Sequence, residues 1–100
     1  MTPSDQIVPK DNFAVLTGTT GSTVGSVLEL NYPTGYTYSN SVVIGLQFYA
    51  SNVWRTFGAL NADTPCVITA TMESTKILVV LRTLAGALCP VKVVLFRYTT

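Results

Sequence analysis

Apolar and polar residues alternate with a period of two along most of this chain. Val27 and Glu29 fall on one side of an extended segment, and Leu28 and Leu30 on the other, as in a strand with one buried face. Cys66, Ile68, Ala70 and Met72 form a buried face against a solvated face of Val67, Thr69 and Thr71. Over residues 42–50 the pattern changes: Val42, Ile44, Leu46 and Phe48 share one side and Val43, Gly45, Gln47 and Tyr49 the other. Apolar groups on both sides suit a strand at the centre of a packed sandwich or at a subunit interface. Further strands are expected over residues 12–17, 23–31, 53–57, 76–83 and 91–98.

Turn formers separate these runs. Gly18 to Ser22 breaks the first strand from the second, and Gly25 marks a bulge or a close backbone approach. Pro33 presets φ for a turn in which Gly35 supplies a positive φ, with Tyr32, Tyr36 and Tyr38 around it. Ser51-Asn52 suits a tight hairpin. Residues 58–65 read as loop, and residues 84–90 as a connection with buried leucines, too short for a stable helix. Seven or eight short strands without a convincing helix predict an all-β, antiparallel, jelly-roll-like β-sandwich. It occupies residues 12–100 as a single domain. Residues 1–11, interrupted by Pro3 and Pro9, form an N-terminal arm in which Ile7, Val8 and Pro9 are the candidate anchoring contacts.

Composition adds a constraint. Apolar residues make up 48% of the 100 positions and charged residues 11%, against about 25% charged in an average soluble domain. Five acids and six bases cannot cover a small domain's surface, so apolar surface is expected to be covered by other copies or a partner. The net charge is +1 and no two basic residues are adjacent, which leaves no concentrated field for nucleic acid. No apolar run reaches the ~20 residues that span a membrane, and the first residues lack the form of a signal peptide. The expectation is synthesis in a cytoplasm, with no nucleic-acid partner and no membrane insertion.

Candidate chemistry is sparse. The chain has no His and no Cys-x-x-Cys, so neither a zinc site nor a His-based triad is expected. Cys66 and Cys89 can pair geometrically, but their apolar surroundings favour buried free thiols. The spacing Gly18-x-x-Gly21-x-x-x-Gly25 lies between strands and cradles no phosphate. Glu29, Asp63 and Glu73 are the acids outside the arm, and nothing brings two together as a hydrolytic pair. No catalytic residue, metal or cofactor is assigned, and no enzyme activity is expected. An aromatic platform with amide groups nearby would suit a sugar. Tyr36, Tyr38, Asn40 and Trp54 are the candidate ligand or receptor surface, with a purely structural role for the aromatics as the alternative.

The run Leu28-Glu29-Leu30-Asn31-Tyr32-Pro33-Thr34-Gly35-Tyr36, followed by Asn40 and the β-run Val42-Val43-Ile44, resembles a pattern in tailed-bacteriophage fibre and receptor-binding modules. Trp54, the strand Lys76-Ile77-Leu78-Val79-Val80 and the closing Val91-Lys92-Val93-Val94-Leu95-Phe96 extend the resemblance over about residues 12–98. It implies a homotrimeric β-sandwich that is a virion structural protein, assembled in the host cytoplasm with other virion proteins. An eleven-residue arm without a shaft favours a short head fibre or capsid decoration over a tail fibre tip. The alternative that the resemblance carries is a receptor- or glycan-binding head for host attachment.

Overall fold

The computed structural model describes residues 12–56 and 67–99, and it divides them between two antiparallel sheets. Seven strands follow one another: β1 (Phe13–Thr19), β2 (Val27–Asn31), β3 (Ser41–Ala50), β4 (Val53–Thr56), β5 (Ile68–Met72), β6 (Lys76–Leu81) and β7 (Pro90–Arg97). One sheet has the order β1-β7-β3-β4 and the other β2-β6-β5. A 3₁₀ turn, Leu84–Gly86, lies between β6 and β7. The arm residues Ile7, Val8 and Pro9, the loop acid Asp63 and Cys66 lie outside the described residues.

Connectivity explains the sandwich. β1 pairs with β7 in the four-stranded sheet, and β2 pairs with β6 in the three-stranded sheet. The connections β1–β2 and β6–β7 therefore both cross between sheets. A two-stranded ribbon folds over the core in a jelly-roll-like wrap. Phe48, Val91, Val93 and Leu95 point inward from one sheet, and Ile68, Ile77, Val79 and Leu81 from the other, each at most 1% exposed. Burying each such side chain contributes about 1.5–3 kcal/mol.

The expected alternation of β2 holds: Leu28 and Leu30 pack on the core while Val27 and Glu29 face out. The Ser51-Asn52 hairpin holds too, with φ of 54° and 66° at its two residues, both in the left-handed region that matches strand twist. Gly35 has φ +88° in the turn after Pro33, where any Cβ would be strained.

Four expectations change. In β3 the register with β7 shifts between Val43 and Gly45. This bulge inserts one residue and exchanges the faces beyond it. Val43, Leu46 and Phe48 consequently point inward together, while Val42 and Ile44 are exposed, 42% and 49%. Gly25 makes no bulge; it turns the chain between β1 and β2 with φ +92°, its N–H donating to the Leu81 carbonyl. Val67 is fully buried rather than solvated, because it precedes β5 and lies under Gly86. A Cβ on Gly86 would stand 2.3 Å from Val67. The loop leucines are the reverse of expectation: Leu84 and Leu88 are exposed, 66% and 68%, while Gly86 and Cys89 are buried.

That loop is held by a residue that carried no signal in the sequence. Thr20 is 3% exposed. Its Oγ1 donates to the Gly86 carbonyl and accepts from the Cys89 N–H at 2.9 Å. Its own N–H donates to the Cys89 carbonyl at 2.9 Å. The Leu88 N–H donates to Gly21 at 3.0 Å, and Leu88 takes φ +54° between these anchors.

Candidate functional site

The registers place the four sequence candidates at two ends of the sandwich. Tyr36, Tyr38 and Asn40 precede β3, whereas Trp54 pairs with Tyr49 near its far end. Eight residue steps of strand separate Ser41 from Tyr49, roughly 26 Å. The candidates do not form one surface. Tyr36 is 8% exposed and belongs to the core, with the Arg97 guanidinium carbon 5.3 Å from its ring centroid.

Asn40 works as an internal brace. Its Oδ1 accepts from the Thr37 N–H at 2.7 Å and from the Ser41 hydroxyl, and its Nδ2 donates to the Gly35 carbonyl at 3.0 Å. Its backbone carbonyl accepts from the Tyr98 N–H. The side-chain amide is thus engaged in shaping the loop. Tyr38 alone of this group offers an open ring, 55% exposed. Tyr32 and Tyr98 anchor the same end, donating at 2.7 Å to the carbonyls of Glu73 and Ser39. Burial, with smaller contributions from Tyr38 and Glu73, pushes the Tyr32 phenol up from its ordinary value.

A larger feature lies on the outward side of the four-stranded sheet. Residues opposite one another across antiparallel strands share a face, so the registers define rows. Phe13, Phe96 and Val42 form the first, and Val15, Val94 and Gly45 the second, with bulged Ile44 beside them. Thr17, Lys92, Gln47 and Thr56 form a polar third row. Tyr49 and Trp54 lie beyond it. Aliphatic and phenyl groups thus occupy one end of the face, a polar row crosses it, and an aromatic pair follows.

Geometry within the rows is close. The Phe13 and Phe96 ring centroids are 5.3 Å apart, as are those of Tyr49 and Trp54. Lys92 Nζ lies 3.9 Å from the Trp54 ring centroid, a cation–π contact that lays the lone charge among the described residues of this face along an aromatic surface. Gln47 Nε2 and the Thr56 hydroxyl are 3.3 Å apart. Sequence reasoning found Trp54 and read the strand of Val42 and Ile44 as central or at an interface, but missed Phe13 and Val15. The signal for that strand was the two-sided apolar character of residues 42–50.

Among the described residues there is no pocket and no cluster of three potential metal ligands. Cys89 is a buried free thiol, and burial pushes its pKa up from the ordinary 9.0, away from thiolate character. No described helix is long and apolar enough to cross a membrane. No family model matches this chain, and no curated protein and no solved structure matches it.

Proposed function

We propose that this chain is an assembly module whose work is binding: a bacteriophage virion structural protein of the short head-fibre or capsid-decorating kind. In this proposal it is a homotrimer attached to other virion proteins through residues 1–11. The observation that supports it is the apolar outer face of the four-stranded sheet. Open apolar side chains stand there on both sides of a polar row, and exposed apolar patches rimmed by polar residues mark interaction sites. The excess of apolar over charged residues, 48% against 11%, points the same way. Light scattering of the purified chain tests the assembly, with the mass of three chains expected and a one-chain mass contradicting it. Incubation with particles that lack the protein tests attachment. Full-length chain is expected to bind them and a chain lacking residues 1–11 to fail.

A second reading is supported by Tyr38, whose open ring stands on a loop braced by Asn40. A pre-organised aromatic of this kind suits a receptor or glycan contact. Tyr38→Ala would then abolish binding to host surface glycans, and unchanged adsorption would remove this reading.

A further inference from the structure

We propose that the outer face of the four-stranded sheet is the surface through which copies of this chain meet, a second copy being its occupant. The proposal rests on the assembly reading above and adds the location of the contact. Area supports it first. Phe13, Val15, Val42, Ile44, Tyr49 and Trp54 keep between 37% and 56% of their surface open. Six residues of that size and openness offer roughly 500 Å². The half-buried residues between them extend this toward the about 800 Å² per partner of a standard interface.

Composition supports it next. The face carries Trp, Tyr and Phe, the residue types enriched at interface centres, and its one charge among the described residues already lies over an aromatic ring. The polar third row supplies hydrogen-bonding groups and sets the register. Sliding the contact by one row would press Lys92 and Gln47 onto phenyl and valine side chains, leaving polar groups unpaired.

The contrast between the two outer faces agrees. The other sheet's outer face carries charged pairs: Glu29 is paired with Lys76, and Arg82 bonds to Thr69. A copy-to-copy contact through the outer face of the four-stranded sheet accounts for that difference.

The test uses the full chain with Val15→Asp and Ile44→Asp on the proposed face and Val27→Asp on the opposite one. Val27 is similarly exposed, 49%, so the three substitutions differ mainly in face. Light scattering is expected to give one multi-chain mass for the parent and V27D, and a one-chain mass for V15D and I44D. Their far-UV circular dichroism is expected to match the parent's. A one-chain parent overturns the proposal together with the assembly reading. A multi-chain mass that survives both V15D and I44D overturns the face alone, and so does a V27D that dissociates equally. If an aspartate variant loses its β spectrum, Ile44→Thr is read instead. Its dissociation constant is expected to rise about tenfold, and an unchanged constant overturns the proposal.

Discussion

The two sheets of this sandwich share one core and differ on their outer faces. Outside the three-stranded sheet, Glu29 pairs with Lys76, Arg82 Nε donates to Thr69 at 3.1 Å, and Thr71 is exposed. Outside the four-stranded sheet, Lys92 is the lone charge in four rows of Phe, Val, Thr, Gln, Tyr and Trp. The first face is built for water: outward Leu78 stands between Glu29 and Thr71, and outward Val80 is paired with Thr69. The second is built like an inner face. Alternation along a strand separates inside from outside, but it does not say whether the outside meets water or another protein. That distinction lies in what occupies the outward positions across neighbouring strands, which only the register reveals.

The comparison can be broken most severely from beneath. Phe48 is fully buried between the sheets, and Phe48→Ala should cost about 3–5 kcal/mol in a urea titration. Both faces should be lost in one transition. Separate transitions for the two sheets would contradict a shared core.

Next in size is the buried hydroxyl that ties the end of β1 to the β6–β7 loop. Thr20→Val keeps the volume but leaves the Cys89 N–H without its acceptor and the Gly86 carbonyl without its donor. Stability should fall by about 1–3 kcal/mol. The outward rows should be undisturbed, so oligomeric mass should not change.

Alkaline pH acts on both sides at once. Cys89 and Tyr32 are held above their ordinary values chiefly by burial, and Lys76 chiefly by its hydrogen bond to Glu29. Each group keeps its proton longer in the folded chain than in the unfolded one. Above the ordinary thiol value of 9.0 the unfolded chain therefore binds fewer protons, and stability falls as pH rises through the folded pKa. The loss should begin near that value and continue past the ordinary 10.0 of tyrosine and 10.5 of lysine. Thermal midpoints measured across this range should decline, and Cys89→Ala should delay the onset.

The smallest effect belongs to the polar face. Glu29→Gln removes the partner of Lys76 in an exposed pair, and such pairs contribute little. Neither the unfolding midpoint nor the oligomeric mass should move. A dissociated E29Q would mean that the polar face, not the apolar one, joins the copies.

Much of the fold was legible because strand alternation and turn chemistry are local. The seven strands, the inward Leu28 and Leu30, the Ser51-Asn52 hairpin and the turn at Gly35 all follow from neighbouring residues. What escaped depends on distant partners. The bulge at residues 43–45 is defined against β7, nearly fifty residues later, and it reverses the faces of β3. Val67 is buried because Gly86 lets the loop approach it. Tyr36 reads as an open aromatic until β7 delivers Arg97 to its ring. The candidate face was half legible: residues 42–50 were apolar on both sides, but Phe13 and Val15 joined them only through pairing with β7.

Trp54 is the only tryptophan in the chain, and it lies within the proposed contact. Acrylamide quenching of its fluorescence reports that face directly. The assembled parent should show a shielded ring, quenched severalfold more slowly than in I44D, and dilution should remove the difference. Equal quenching of parent and I44D, unchanged by dilution, would show that nothing covers this face.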